Sequence, residues 1–170
     1  YKGFDRAYAD AMAGLCRKAD VVLPNLTEAC MLTETEYRED YDEDYIGHVI
    51  GKLHEMGIPC VVLTGIGCSS DDTGVLISSQ QGIYRYSHPK IARGYHGTGD
   101  LFAAAFVGSW IGGKPMGEAV QIAADFVCQC IRNIHHPQFD SFFIYNGSKH
   151  RIISYFSESF SDNIFLNDIN

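Results

Sequence analysis

Basic charge, long apolar runs and paired cysteine motifs are all scarce in this chain of 170 residues. Its formal net charge of −8 argues against nucleic acid or an anionic membrane surface as the main partner. No apolar run reaches the roughly 18 residues that a membrane-spanning helix requires. The longest run, residues 101–111, contains Gly108 and Ser109, so it predicts a core helix rather than a membrane segment.

The cysteines show no C-x-x-C spacing and lie within apolar segments. They are Cys16, Cys30, Cys60, Cys68, Cys128 and Cys130. Cys128 and Cys130 are two residues apart on a predicted helix, which points them to different faces and argues against a shared zinc or redox site. We therefore expect reduced thiols in a cytoplasmic protein, with a thiol-redox role as a distant alternative.

The composition is 46% hydrophobic and 20% charged, as in an ordinary globular domain. Hydrophobic periodicity and turn residues divide the chain into alternating elements. Helices are predicted over residues 4–18, 25–32, 45–56, 98–111 and 116–134, buried strands over 20–23 and 60–64, and a β-hairpin over 73–77 and 83–86. Residues 34–44 are acidic and tyrosine-rich, which predicts a solvated loop.

Alternation of helices with apolar strands is typical of an α/β fold built on a parallel sheet. Ligands of such sheets bind beyond the carboxyl ends of the strands. Asn25, Thr64 and Asp100 each lie where a strand or hairpin gives way to the next element. We therefore expect these three polar groups to converge on one crevice.

The turn Gly97-Thr98-Gly99-Asp100 precedes an apolar helix. The first N–H groups of a helix lack intrahelical partners and favour anions, and glycines permit close approach of the backbone to a ligand. A carboxylate beside bound phosphate is suited to removing a proton from an attacking hydroxyl, which predicts phosphoryl transfer to an alcohol. The alternative is a loop in which Asp100 merely caps the helix.

Two further segments each admit a structural and a functional interpretation. Asn25 and Glu28 have the spacing of a capping box, and Glu28 is also placed to hold Mg²⁺ through water. Thr64-Gly65 is either a turn that ends a strand or a contact to nucleotide phosphate.

Other suggestive residues are better explained structurally. The segment from Gly108 to Gly113-Lys114 imitates a P-loop, but Pro115 occupies the position of the Mg²⁺-binding hydroxyl and the glycines end a helix. Lys114 is therefore expected to be a surface charge. His96 adjoins the glycine turn and would reach phosphate or substrate there, although a structural role is the simpler expectation.

Together, residues 19–29, 61–65 and 97–104 resemble the ribokinase-like superfamily, and within it the pyridoxal/pyridoxamine kinases of vitamin B6 salvage. The resemblance covers residues 1–136 and corresponds to the C-terminal half of such a kinase. It implies a three-layer αβα fold with a mostly parallel sheet, here truncated at the N-terminus, and often a homodimer. Residues 137–170, which contain no Ala or Val, are expected to form a divergent tail.

The resemblance also implies roles for individual residues. Asp100 becomes the catalytic base, and Gly97, Thr98 and Gly99 form an anion hole for the transferred phosphate. Asn25 and Glu28 support the Mg²⁺–phosphate network, while Thr64 and Gly65 contact ATP. The implied substrate is a B6 vitamer, phosphorylated on its 5′-hydroxymethyl group.

Two alternatives stay open at this point. One is a related kinase for a sugar or for hydroxymethylpyrimidine, although the latter branch often carries Cys where this chain has Asp100. The other is a non-catalytic fragment that retains only the fold and an oligomer surface.

Overall fold

A computed structural model describes residues 6–67, 71–91, 97–133 and 152–154. The helices are α1 (Arg6–Cys16), α2 (Leu26–Thr33), α3 (Glu43–Glu55), α4 (Thr98–Ile111) and α5 (Met116–Asn133). The strands are β1 (Val21–Leu23), β2 (Cys60–Ile66), β3 (Asp72–Ser79), β4 (Gly82–Pro89) and β5 (Ile152–Ser154). Each helix and strand predicted from the sequence is present, with ends displaced by up to three residues.

The five strands form one sheet in the order β4-β3-β2-β1-β5. β1 is parallel to both β2 and β5, whereas the predicted hairpin contributes two antiparallel pairings, β2 with β3 and β3 with β4. The sheet is thus parallel on the β1 side and antiparallel on the hairpin side. A short reversal such as Gln80-Gln81 can join only antiparallel neighbours, which explains the mixed character.

Strand alternation divides the core into two layers. Val22, Val61, Leu63 and Leu76 pack with α1, α2 and α3 on one face, which we call the α1–α3 layer. The residues between them point to the opposite face and pack with α4 and α5, which we call the α4–α5 layer. These residues are Val21, Leu23, Cys60, Val62, Val75 and Ile77. Both faces of the sheet are covered, as the expected αβα architecture requires.

Helix α3 begins earlier than its apolar pattern predicts. Asp42 caps it by accepting the backbone N–H of Tyr45 at 2.8 Å, which brings Glu43 and Asp44 into the first turn. Acidic side chains are favourable at this end because of the helix dipole. Part of the acidic stretch is therefore helical, and residues 34–42 remain a loop.

Several sequence expectations fall outside the described residues, including Cys68, His96 and the boundary at residue 137. Of the tail, the structure describes only the short strand β5, which pairs with β1. Among the described residues, no helix combines the length and apolarity that crossing a membrane would need.

Candidate active site at the carboxyl edge of the sheet

Four strands end at the same edge of the sheet. β1, β2 and β5 run in parallel, and β4 has the same direction because β3 reverses the chain between β2 and β4. The edge is further marked by Lys90, just past β4, whose N–H donates to the carbonyl of Asp71 at 2.8 Å. We call this boundary the carboxyl edge. It carries Asn25 after β1, and Thr64 and Gly65 near the end of β2.

Contacts between α5 and the sheet fix the direction of α5. At its start, Met116 lies 3.6 Å from the thiol of Cys60, the first residue of β2. Further along α5, Asp125 accepts a 2.6 Å hydrogen bond from the hydroxyl of Tyr86, and Cys128 lies 3.3 Å from His88 Nδ1. α5 therefore runs from the opposite edge toward the carboxyl edge.

The direction of α4 follows from that of α5. The two helices pack side by side and are joined by a turn of four residues, 112–115, so they are antiparallel. Ile111 thus lies near the opposite edge, and Thr98 lies about 20 Å away along the helix axis. The N-terminus of α4, with Gly97, Thr98, Gly99 and Asp100, is consequently placed at the carboxyl edge.

Asn25 and Thr64 are direct neighbours. They form an isolated parallel bridge just past the paired residues of β1 and β2. The N–H of Thr64 donates to the carbonyl of Pro24 at 2.9 Å, and its hydroxyl lies 3.4 Å from the same oxygen. Because Cys60 and Val62 point into the α4–α5 layer, strand alternation directs Thr64 to the side of the sheet that α4 covers.

Asn25 and Glu28 form a complete capping box at the start of α2. The side chain of Asn25 accepts the N–H of Glu28 at 2.9 Å, and Glu28 Oε2 accepts the N–H of Asn25 at 2.8 Å. Glu28 is buried, with 6% of its surface exposed. The interpretation of Asn25 and Glu28 as a capping box is therefore confirmed. The capping box also places the buried carboxylate of Glu28 at the carboxyl edge.

The cap position at the N-terminus of α4 has no side chain to offer. The residue before the helix is Gly97, at φ +82°, and it makes no side-chain capping hydrogen bond. A Cβ at Gly97 or Gly99 would meet no heavy atom of the described chain within 4 Å. Asp100 is the third residue of the helix, so the alternative in which it serves as the N-cap is wrong. Helix N-termini of this kind, with glycines at the cap and in the first turn, are favourable places for an anion.

Asp100 is half-buried, and desolvation raises the pKa of its carboxyl group. Burial disfavours the charged form of an acid because the protein solvates the charge less well than water does. A carboxylate with a raised pKa is a stronger base than an exposed one. This is the property that removal of a proton from an alcohol requires.

Gly65 is the extra residue of a β-bulge. Thr64 pairs with Val75 and Ile66 pairs with Gly74. Val75 and Gly74 are adjacent in β3, so Gly65 has no partner there. Gly65 has φ +74° and is exposed. The positive φ accounts for glycine at this position and turns its backbone away from the regular ladder.

Tyr41 was not identified by the sequence interpretation, which assigned it to a solvated loop. Its hydroxyl accepts the backbone N–H of Gly67 at 3.0 Å, just beyond the end of β2. Its ring is partly buried against the α1–α3 layer. No local motif signals this contact, because 26 residues separate the two partners.

Lys114 lies away from this edge. Its ammonium group forms an ion pair with Glu118 at 2.6 Å, and both side chains are about half-exposed. The expectation that Lys114 is a surface charge is confirmed.

Comparison with known proteins matches residues 4–143 to the family of phosphomethylpyrimidine kinases. A candidate phosphomethylpyrimidine kinase from Bacteroides thetaiotaomicron is structurally similar, with a TM-score of 0.74 and 30% identity over 82% of this chain and 49% of that chain. Pyridoxal kinase from Lactobacillus plantarum gives a TM-score of 0.71 and 28% identity, over 82% of this chain and 50% of that one.

A curated relative is the thiamine biosynthesis bifunctional protein ThiED of Geobacter sulfurreducens. It is 30% identical over 115 residues, which are 67% of this chain and 23% of the relative. The chain thus spans about half the length of the solved structures it matches and less of this bifunctional relative. The matched region contains α1 to α5 and the carboxyl ends of β1, β2 and β4, so the chain belongs to the phosphomethylpyrimidine kinase family of the ribokinase-like superfamily.

Proposed function

We propose that this chain supplies the nucleotide-binding and catalytic half of an ATP-dependent kinase that phosphorylates the 5′-hydroxymethyl group of a B6 vitamer. The observation that carries the proposal is the glycine-capped N-terminus of α4, with half-buried Asp100, at the same sheet edge as Asn25 and Thr64. Related structures support it. The Bacteroides protein has also been solved with pyridoxal, and Staphylococcus aureus pyridoxal kinase has been solved with AMP-PCP.

In the proposed reaction, the carboxylate of Asp100 accepts the proton of the substrate hydroxyl. The hydroxyl oxygen forms a bond to the γ-phosphorus of ATP while the bond from that phosphorus to the bridging oxygen breaks, and ADP leaves. The backbone N–H groups at Gly97, Thr98, Gly99 and Asp100 stabilise the charge that develops on the transferred group. Thr64 and Gly65 contact the nucleotide phosphates.

The donor set at the start of α2 fits Mg²⁺. Glu28 offers a buried carboxylate and Asn25 an amide oxygen, and hard cations of this kind prefer oxygen ligands. Since the capping box engages Glu28 Oε2, we propose that Glu28 acts through metal-bound water. When bound, Mg²⁺ would neutralise charge on the phosphates.

A hydroxymethylpyrimidine substrate is the second candidate. The family match and the Geobacter relative favour it, because both carry names from pyrimidine kinase or thiamine chemistry. Asp100 favours the B6 vitamers, since the resemblance associates Cys with this position in the hydroxymethylpyrimidine branch. Both substrates present a hydroxymethyl group on a nitrogen heterocycle, so the proposed chemistry at Asp100 is the same.

Two measurements test the proposal. Calorimetry on the chain should show binding of MgATP, and absence of binding by a chain with a folded circular-dichroism spectrum would favour a non-catalytic role. A phosphorylation assay should compare pyridoxal, pyridoxamine, pyridoxine, hydroxymethylpyrimidine and a panel of sugars. Preference for a B6 vitamer supports the first candidate, and preference for hydroxymethylpyrimidine replaces it with the second.

A further inference from the structure

The end of β2 is held by two hydrogen bonds from different parts of the chain. On one side, the carbonyl of Pro24 accepts the N–H of Thr64 at 2.9 Å. On the other, the hydroxyl of Tyr41 accepts the N–H of Gly67 at 3.0 Å. Between these contacts lies Gly65, exposed and at φ +74°, where the β-bulge interrupts the ladder. We call residues 64–67 the β2 turn.

The path of the β2 turn leaves no room for a side chain at Gly67. A Cβ at this residue would overlap the carbonyl oxygen of Asp72, at the start of β3. Gly67 is therefore enclosed by Asp72 on one side and by the Tyr41 hydroxyl on the other. Only two peptide units separate Gly67 from Gly65, so a contact that fixes Gly67 also limits the backbone conformations open to Gly65.

Tyr41 is itself held in place. Its ring packs against the α1–α3 layer, and the loop that carries it is tied down at two other points. The hydroxyl of Tyr45 donates to the carbonyl of Glu36 at 2.6 Å, and the ammonium group of Lys52 donates to the hydroxyl of Thr35 at 3.3 Å. The acidic loop thus presents the Tyr41 hydroxyl to Gly67 from a fixed position.

We propose that Tyr41 is a positioning residue for nucleotide binding, acting by fixing the β2 turn in the conformation in which Thr64 and Gly65 meet the phosphates. This inference rests on the proposed function of Thr64 and Gly65. Tyr41 does not itself contact the nucleotide. Tyr41 restricts the conformations of the β2 turn before the nucleotide binds. Binding then carries a smaller entropic cost of ordering the turn.

Tyr41→Phe tests the inference because it keeps the ring in the α1–α3 layer and removes only the acceptor oxygen. Tyr37→Phe is the matched control, since Tyr37 lies in the same loop and is 52% exposed. Calorimetry should show that Tyr41→Phe weakens binding of the magnesium complex of AMP-PCP about three- to tenfold, the effect of losing one hydrogen bond. Tyr37→Phe should bind with the wild-type affinity.

Amide exchange measured by NMR tests the hydrogen bond between Gly67 and Tyr41 independently of nucleotide binding. The N–H of Gly67 should exchange faster in Tyr41→Phe than in the wild type, whereas exchange in β1 and α2 should be unchanged. Where phosphorylation is measurable, Tyr41→Phe should raise the KM for MgATP and leave kcat unchanged. A general loss of stability would accelerate exchange throughout the core instead.

The outcomes distinguish the two ideas. Equal nucleotide affinity in wild type and Tyr41→Phe overturns the positioning role while leaving nucleotide binding intact. A wild type that does not bind nucleotide overturns the proposed function and, with it, the role of Tyr41 in binding. Unchanged exchange at Gly67 overturns the Tyr41 contact in either case.

Discussion

Asn25 and Glu28 satisfy each other at the start of α2: Asn25 Oδ1 accepts the N–H of Glu28 at 2.9 Å, and Glu28 Oε2 accepts the N–H of Asn25 at 2.8 Å. These are the two residues that the family resemblance assigns to the Mg²⁺–phosphate network. The capping box orients both side chains at the carboxyl edge before any ligand binds. Stability and nucleotide affinity should therefore respond differently to substitutions here.

Asn25→Ala removes the cap and should lower the free energy of unfolding by about 1 kcal/mol. Asn25→Asp is the matched control, because its carboxylate still accepts the N–H of Glu28 and the loss should be smaller. Urea denaturation measures both values. Equal stability of wild type and Asn25→Ala would show that the cap contributes nothing.

Glu28→Gln separates charge from capping. Glutamine retains an oxygen that can accept the N–H of Asn25, so unfolding should change little. Removal of the negative charge should weaken nucleotide binding when Mg²⁺ is present and have less effect when Mg²⁺ is chelated. Calorimetry with and without Mg²⁺ measures this difference, and an equal loss under both conditions would contradict the metal role.

Asp100→Asn should lower turnover about 10²- to 10⁴-fold in the complete enzyme, because asparagine cannot accept the proton of the alcohol. Nucleotide binding should survive, since the N–H groups of the first turn of α4 remain. Steady-state kinetics and calorimetry on the same preparation measure the two effects. Near-normal turnover would refute the assignment of Asp100 as the base.

The stability of the protein should also depend on Asp100 in a defined direction. Burial raises the pKa of Asp100 in the folded state, so the folded state binds more protons than the unfolded state between the two pKa values. The contribution of Asp100 to stability therefore falls as pH rises through that interval. Asp100→Asn, which does not titrate, should gain stability relative to wild type over the same interval.

Urea denaturation from about pH 3 to pH 8 measures this dependence. The difference in unfolding free energy between Asp100→Asn and wild type should increase with pH and then level off above the raised pKa. A difference that is constant with pH would mean that burial does not perturb Asp100.

Gly99 and Gly108 form a matched pair within α4. A Cβ at either position would meet no described atom within 4 Å, so replacement by Ala should stabilise the helix by up to about 1 kcal/mol. Only Gly99→Ala places a methyl group beside the first-turn N–H groups. It should raise the melting temperature and weaken nucleotide binding, whereas Gly108→Ala should raise the melting temperature alone. Equal nucleotide affinity in the two variants would argue against the anion hole.

Lys114→Ala should leave nucleotide binding unchanged. An exposed i,i+4 ion pair contributes about 0.3–0.5 kcal/mol, so the loss of the contact with Glu118 should also have little effect on unfolding. Calorimetry would detect a weakened affinity, and such a result would revive the P-loop interpretation of this segment.

Local patterns were sufficient to predict most of the fold. The apolar runs of β1 and β2 and the amphipathic pattern of α5 specify their own secondary structure, and the capping residue Asn25 marks the start of α2. The apolar pattern predicts the start of α3 two residues too late, because the cap residue Asp42 determines where the helix begins. Its start was therefore visible in the sequence as an acidic residue three positions before Tyr45.

Contacts between segments that are distant in the sequence could not be predicted from local patterns. The bulge at Gly65 depends on how β2 pairs with β3, and the bond from Gly67 to Tyr41 depends on how the acidic loop packs. The pairing of β5 with β1 joins residues 131 positions apart in the register Val22 to Ile153. Neither composition nor periodicity specifies which edge a three-residue strand will join.

The cysteines are distributed between the two core layers, so their reactivity can report on the unfolding of each layer. Cys16 and Cys30 are buried in the α1–α3 layer, and Cys60 is buried in the α4–α5 layer, where desolvation raises its pKa to about 11. Because only exposed thiolates react rapidly with alkylating reagents, each of these three cysteines should stay unmodified until its own layer opens. Mass spectrometry of progressively alkylated protein would therefore reveal whether the two faces of the sheet unfold together or one before the other.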